Sequence, residues 1–518
     1  MQRRNTVKRI FILILCLLVC WLAGCSSDDS PYVPTGNGLT LEEDLPQDTT
    51  APTEVAEQEL VLVYYPDKTM NPFTCKDYTN RALFSLIYQS LFVVDANYEV
   101  HPLLCSSYRV SDDMKEYECF VDEKATFSDG TPLTIQDVYA SIQTARQSKV
   151  YKGRFQYLRG VKLGPEENSI IFQLGTAYEN FPLLLDVPIV KASEVEADRP
   201  LGSGPYCLES TTSGDRLRRQ GNWWCDVETP VTASSIPLVA AQSTTHIRDS
   251  FEFSNVGLVC ANPGSDSYAD YRCDYELWDC ENGIFLYLSC NLDSAVFSVP
   301  AVRSALTHAI DRDYIVSKYY SGFAHSATLP ASPLSPYYSS RLASNYTYDP
   351  QIFIQALNDN YLSGAPIKIL VNKHDTLRLR MAREIGKMLT DCGLVVEMIE
   401  ETGDNYYYYL VVGNYDLYLG QTKLSATMDL TAFFATTGDM NYGGLEDASF
   451  YAMCRESLAN KGNYVNLHKM IADDGRLCPV LFQTYSIHAT RGLLTHLTPS
   501  RDNIFFYTIG KSMKDIIQ

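Results

Sequence analysis

The sequence predicts an α/β protein built as two large lobes or about three domains, on three observations. The chain has 518 residues, more than one hydrophobic core usually spans. Its composition is that of a globular protein, 46% hydrophobic and 20% charged. Residues 367–399 read as a βαβ unit, with apolar strands at 367–371 and 394–399. Between them Met381, Ile385, Met388, Leu389 and Cys392 line one helix face, and Gly393 is placed to end that helix in a left-handed conformation. A crossover of this length favours parallel, right-handed strand pairing. Ligands of open α/β sheets lie beyond the carboxyl ends of such strands.

The amino terminus reads MQRRNTVKRIFILILCLLVCWLAGCSSDDS. Arg3, Arg4, Lys8 and Arg9 precede an apolar run of 14 residues, 10–23. A membrane-spanning helix needs about 20, so the run fits the apolar core of a secretory signal. Leu22-Ala23-Gly24-Cys25 resembles the lipobox of bacterial lipoproteins. That resemblance implies cleavage between Gly24 and Cys25 and acylation of the Cys25 sulfur. Small residues admit the peptidase, a thiol accepts the lipid, and two or more acyl chains anchor far better than one. Residues 1–24 are thus expected to be a signal peptide. Residues 25–58, rich in Ser, Asp, Thr, Pro and Gly, are expected to be a lipidated cysteine with a disordered tether.

The formal net charge is -20 and the isoelectric point about 4.8. The basic leader residues make the remaining body more acidic still. Such a body repels nucleic acid and anionic lipid, and no basic block opposes that reading, so no nucleic-acid partner is expected. Of the 15 cysteines, Cys16 and Cys20 lie in the leader and Cys25 in the lipobox. The twelve others form no C-x-x-C pair, so neither a zinc ribbon nor a thioredoxin-like site is supported, and no metal or cofactor is expected. Their even number in an exported chain leaves both disulfides and buried free thiols open; Cys273, Cys280 and Cys290 are close enough to matter locally.

Along the body, residues 59–65 read as a first strand and 66–72 as a loop. Leu83, Phe84, Leu86, Ile87 and Leu91 have helical spacing over 81–92. Residues 127–132 form a tight turn around Asp129-Gly130. Thr134 then looks like a helix N-cap with Asp137 as its capping-box partner, and Val138, Ile142 and Ala145 continue the buried face. Residues 202–206 turn into a strand, 284–290 are a strongly apolar strand, and Pro300 opens a helix with Val302, Ala305, Leu306, Ala309 and Ile310 on one face.

These segments together resemble a known family. FSDGTPLTIQDV at 127–138 is similar to a signature of the extracytoplasmic solute-binding proteins of ABC importers, in the oligopeptide- and dipeptide-binding family, family 5. Asn71-Pro72-Phe73, residues 91–104, GSGPY at 202–206, Asn291 with Val302-Arg303-Ser304-Ala305-Leu306 and Ala309-Ile310-Asp311-Arg312, and Tyr415-Asp416-Leu417 match it in order. The resemblance spans roughly residues 59–506. Most matched positions are turns, caps and core, so Asp129, Gly130 and Arg303 are read as structural.

The resemblance implies a two-lobed, periplasmic-binding-protein-like (type II) fold with an accessory subdomain in the first lobe. Lobe I would be 59–288 plus 486–518, with the accessory subdomain near 93–190, and lobe II 289–485. Strands at 284–291 and 480–486 would cross between them. It implies a monomer, with no catalytic residue, that closes on a small solute, by family a peptide, and presents it to ABC permease subunits. Acylated Cys25 would hold it in the bilayer, on the outer face of the cytoplasmic membrane. By the family's loop positions, Tyr64, Tyr65 and Tyr442 are cleft candidates. Residues 266–283, with Trp278 among acids, either line the cleft opposite a cationic ligand or form a solvated loop. Gln421 and Lys423 are expected to face the cleft, where Lys423 would suit a carboxylate.

One departure bears on the ligand. Peptide-binding members carry a tryptophan and an acid after the Tyr-Asp strand, to hold the ligand's amine. Here GQTKLSATMD, residues 420–429, lacks the tryptophan, and the nearest acid, Asp429, falls several residues late. Two other readings stand beside import: a receptor reporting a signalling peptide to a sensor, and a lipid-anchored hydrolase. For the hydrolase the sequence offers no G-x-S-x-G, H-E-x-x-H or G-x-x-x-x-G-K-[ST], and its eight histidines are scattered.

Overall fold

The computed structural model describes residues 59–518 except 226, 264–270 and 495. The readings of signal peptide, lipobox Gly24-Cys25 and tether therefore lie outside the described residues.

In chain order the elements that position the site are β1 (Leu62–Tyr64), β2 (Cys105–Val110), β3 (Glu116–Val121), α1 (Ile135–Gln147), β4 (Leu158–Leu163) and β5 (Ser169–Leu174). They continue with β6 (Tyr206–Thr211), β7 (Gly214–Arg219), β8 (Ser235–Ala240), β9 (Leu258–Ala261) and β10 (Tyr275–Cys290). The remainder are β11 (Pro366–Asn372), α2 (Thr376–Asp391), β12 (Val395–Glu401), β13 (Leu417–Lys423) and β14 (Leu477–Thr490).

Three sheets carry the architecture. β1, β8, β7 and β6 form one, in that order, with β1 parallel to β8 and the other pairs antiparallel. β2, β3, β5 and β4 form an antiparallel sheet, with α1 packed against β4 and β5. The largest runs β9, β14, β10, β13, β11, β12. Its spine is the long antiparallel pair β10 and β14, in register from Tyr275 opposite Thr490 to Ser289 opposite Leu477. The register shifts between Glu281 and Phe285.

Period-two alternation explains the apolar run in β10. Leu286, Leu288 and Cys290 pack into a core with Ile369, Ile385, Leu389 and Val480, while Phe285 and Tyr287 face a second core with Tyr418, Phe433 and Phe482. A strand buried on both faces needs no polar side. A separate core joins Leu62, Val138, Phe172, Tyr206, Ile236 and Phe505. Two cores thus flank the large sheet's far half, and another lies beyond its near end.

The βαβ unit forms as the sequence indicates. β11 and β12 pair in parallel, Ile367 opposite Val396, and Gly393 has φ +103°. Asp137 accepts from both the Thr134 amide (2.8 Å) and hydroxyl (2.7 Å), fixing the start of α1. Gly130 turns the preceding loop at φ +82°, where other residues are strained. Arg303 is buried and donates to the carbonyls of Phe297 (2.8 Å) and Asp474 (3.1 Å), a structural role.

The helix expected over 81–92 is broken. The chain forms short helices Tyr78–Arg81 and Phe84–Ile87 and then strands Gln89–Ser90 and Phe92–Val94. Its carbonyls are taken by other segments: Gly204 N–H bonds Ile87 (2.8 Å), Leu104 bonds Ser90 (3.1 Å), and Leu103 bonds Leu91 (3.0 Å). The approach at Gly204 is so close that a Cβ would sit 2.6 Å from the Ile87 carbonyl carbon. Ten of the twelve body cysteines are buried, and the eleven other than Cys225 stand as free thiols.

Leu288 is fully buried in the sheet's far core. Leu288→Ala is expected to lower unfolding stability by about 2–5 kcal/mol in a urea titration. His468 is buried with neither ring nitrogen hydrogen-bonded, and burial depresses its pKa to about 3. The unfolded imidazole protonates near 6.5 and the folded one only near 3, so stability present above pH 6.5 falls as pH drops through that window. His488, lowered to about 4, adds with the same sign. His468→Phe should flatten the stability profile between pH 6.5 and 3; an unchanged profile would contradict this.

Candidate functional site

A cavity of about 560 Å³ opens where the large sheet meets the core built around β1 and the accessory sheet. That volume suits a small organic ligand. Its walls come from five places: the turn after β1, the loop after α1, the middle of β9, β10 and β14, the end of β13 with the segment after it, and residues 501–504.

Local chemistry fixes each wall. Asp77 caps the helix Tyr78–Arg81 by accepting from the amides of Thr79 (3.0 Å) and Asn80 (3.3 Å). Asn80 locks that turn to β1 through the Tyr65 amide (2.7 Å) and carbonyl (3.0 Å). Tyr78 stacks on Tyr485 of β14, ring centres 5.3 Å apart, as an aromatic wall. Arg81 and Arg154 lie over the Tyr151 ring at 5.8 Å and 5.0 Å.

At the register shift, β10 bonds to the site segments. The Glu281 carbonyl accepts from Asp502 N–H (3.3 Å), and the Gly283 carbonyl from Leu424 N–H (3.0 Å). Lys423 and Asp502 meet there as an ion pair, and Arg501 donates to the Leu424 carbonyl. Gly283 has φ +70°, and a Cβ would collide with the Arg501 guanidinium.

Charge is concentrated in this space. Burial, aided by Arg501 and Arg81, lowers the Lys423 pKa to about 8 against the pull of Asp502. Burial, with Arg501 and Arg81 acting the same way, lowers Arg154 to about 10. For Asp502, burial pushes upward, but Lys423, Arg501 and Arg81 outweigh it and hold the carboxyl below the usual range. Burial raises Asp429, although the Thr431 amide (2.9 Å) and Gln156 (2.5 Å) bond its carboxylate.

The cavity mouth is bridged. Gln156 bonds Asp429, Tyr157 donates to Thr431 (2.6 Å), Tyr178 pairs with Thr427 (2.6 Å), and Lys461 N–H bonds Glu179 (2.8 Å). These contacts join the region of the β2–β5 sheet to the segments beyond β13.

Of the residues singled out from sequence, Lys423 lines the cavity. Gln421, two positions earlier on β13, accepts from Gln483 (3.4 Å) outside the lining. Tyr64 is buried with its hydroxyl on Asp215, and Tyr65 packs beside Ile247 and Phe251 under Lys68, 3.7 Å from its ring. Neither tyrosine lines the cavity, because Tyr64 packs into the core of Leu62 and Tyr65 into the one with Ile247 and Phe251. Tyr442 stands edge-on to Tyr418 at 6.2 Å, and Trp278 packs on the first core; neither is on the lining. Asp429, displaced from the family's motif position, does line it. Sequence reasoning missed Tyr78, Arg81, Tyr151, Arg154, Arg501 and Asp502. They lie in three separate stretches without a shared motif, and only the fold assembles them.

Residues 99–443 match the bacterial extracellular solute-binding proteins, family 5, middle region. The glutathione-binding protein GsiB of Escherichia coli O1:K1 / APEC is 23% identical over 319 residues, covering 57% of this chain and 60% of that protein. The chain therefore spans about three fifths of the length of the curated relatives it matches. The ABC transporter substrate binding protein CtaP from Listeria monocytogenes aligns with TM-score 0.70 at 16% identity, over 86% of this chain and 97% of that one. The oligopeptide-binding protein AppA from Bacillus subtilis, solved with a nonapeptide, aligns with TM-score 0.59 at 18% identity, over 86% and 97%. The shared fold is the two-lobed periplasmic-binding-protein type. Among the described residues no helix is long and apolar enough to cross a membrane.

Lys423 loses its charge as pH rises through about 8, and its attraction to Asp502 goes with it. Small-angle scattering at pH 9.5 should show a larger radius of gyration than at pH 7, and Lys423→Met should abolish that step. Identical scattering at both pH values would count against a role for the pair in closure.

Proposed function

The chain belongs to the bacterial extracellular solute-binding proteins of family 5, and from that membership we propose that it captures a peptide or similar small solute by hinge closure for an ABC importer. The observation that carries the reading is the cavity of about 560 Å³ enclosed between segments that two long strands hold together. Lobe I is assigned to 59–288 plus 486–518, with an accessory subdomain near 93–190, and lobe II to 289–485. Among the described residues β10 and β14 are then the long strands that pass from one lobe to the other, at 288/289 and 485/486, and the hinge is assigned to those crossings.

Closure follows from differential contact. A solute touching Arg81 or Arg154 on one side and Asp429 or Lys423 on the other binds the closed form better, and shifts the population toward it. Enclosure removes water and strengthens each polar contact. No side chain is assigned a chemical step. Relatives named for binding glutathione and a nonapeptide support a peptide-like solute. Cys25 is the proposed lipid anchor, placing the body outside the cytoplasmic membrane, beside the permease, as a monomer.

Denaturing the protein isolated from its host should release a stoichiometric small molecule, identified by mass spectrometry. Adding that molecule to protein refolded without it should give a saturable heat and a smaller radius of gyration. Release of nothing, with no heat from a broad peptide panel, would refute solute capture. Mass spectrometry of the amino-terminal peptide should find a diacylated Cys25; an intact leader would refute the anchor.

A further inference from the structure

We propose that the solute carries an oxyanion, a carboxylate or phosphate, seated among Arg81, Arg154 and Arg501 where the main cavity joins a smaller chamber. This inference rests on the solute-capture reading and specifies the chemistry of its ligand.

The first observation is a reversal of charge. The chain carries a formal net charge of -20. Yet the cavity is lined by six lysines and arginines against three aspartates. The acidic body repels anions at long range, so a local basic lining points to short-range, desolvated recognition of an anion.

The second observation is where that charge sits. A chamber of about 90 Å³ adjoins the main cavity and shares Arg81, Tyr151, Arg154, Arg501 and Asp502 with it. The three guanidiniums therefore stand at the neck between the two spaces. Beyond the neck, apart from Asp186, the chamber's polar side chains are uncharged: Ser85, Gln89, Ser90, Asn503 and Tyr507.

The third is incomplete pairing. Asp186 is bonded by Arg154, and Asp502 by Lys423. Arg81 and Arg501 donate to neutral carbonyls, of Cys75 (3.4 Å) and Leu424. Arg501 Nε and Ser85 Oγ are buried without a hydrogen-bond partner. A buried donor left unmade is costly. A planar guanidinium fork matches a carboxylate or phosphate edge with two parallel bonds. An anion at the neck would meet the free donor capacity of Arg81 and Arg501 and offset the mutual repulsion of the basic groups. The depressed Arg154 and Lys423 are consistent with that repulsion. A cation there would meet only acids already engaged.

The test uses full-length protein in detergent. The solute released from host-isolated protein is identified first, then titration calorimetry compares Ala-Ala-Glu, the Ala-Ala-Gln amide and the Ala-Ala-Lys amide, all three N-acetylated so that the Gln amide is uncharged, and glycerol phosphate. The released solute should carry a carboxylate or phosphate. Ala-Ala-Glu or glycerol phosphate should bind about tenfold or more tightly than either amide, and which of the two wins identifies the anion's source. Raising salt should weaken that preference only modestly, because the site is enclosed. Arg81→Gln and Arg501→Gln, each checked by circular dichroism and thermal melting, should each lose about tenfold more affinity for the anionic probe than for the amides. A neutral or cationic released solute, amides bound as tightly as anions, or two folded variants with wild-type affinity would each overturn the proposal and leave solute capture standing. No released solute and no binding of any probe would overturn both.

Discussion

Backbone hydrogen bonding at the break between β10 and β14 determines where the site is. An unbroken antiparallel ladder would bond every carbonyl of this stretch to β14 or β13. Beside the register shift the Glu281 carbonyl accepts from Asp502, and the Gly283 carbonyl accepts from Leu424 as the β10–β13 ladder runs on past Lys423. Those two bonds bring Asp502, Arg501 and Lys423 from distant parts of the chain to one point. Glu281 itself is buried and held by the hydroxyls of Tyr98 and Ser332, so the break is braced on its other side. The positive φ at Gly283 and the guanidinium packed where a Cβ would stand show why glycine is required there. The charged wall of the cavity and the break in strand register lie side by side.

The electrostatics follow from burial. An acidic surface is compatible with a basic cavity because bulk water screens the former within about 10 Å, while enclosed charges interact strongly. Desolvation first, and Arg501 and Arg81 after it, lower Arg154 and the still partly exposed Lys423. That cost is tolerable only with partners, and Asp502 and Asp186 supply part of it. Preorganised charge of this kind discriminates ligands through what is left unpaired as much as through what is bonded.

Fold elements were legible in the sequence wherever one periodicity was enforced by one neighbour. The βαβ unit at 366–401 is such a case, since helix and strands pack on each other and Gly393 marks the end. The capped helix after Thr134 is another. The segment 81–92 misled because its apolar spacing is satisfied by burial on several sides. Its backbone bonds go to Gly204, Leu103 and Leu104, and spacing alone carries no record of those partners. For the same reason, Tyr64 and Tyr65 follow the family's loop position yet face the interior. Lys423 ends β13, and its position at the end of a recognisable strand puts it on the cavity lining.

By itself, the sequence determined the class of protein: a family-wide order of turns, caps and apolar strands, and an acidic body. These are local properties, fixed by side-chain periodicity and by residues that favour one backbone conformation. Tertiary structure alone decided the binding chemistry. Arg81, Arg154, Arg501 and Asp502 belong to separate stretches, and their charges act on one another only because strand pairing and burial bring them within the short range over which such forces are large.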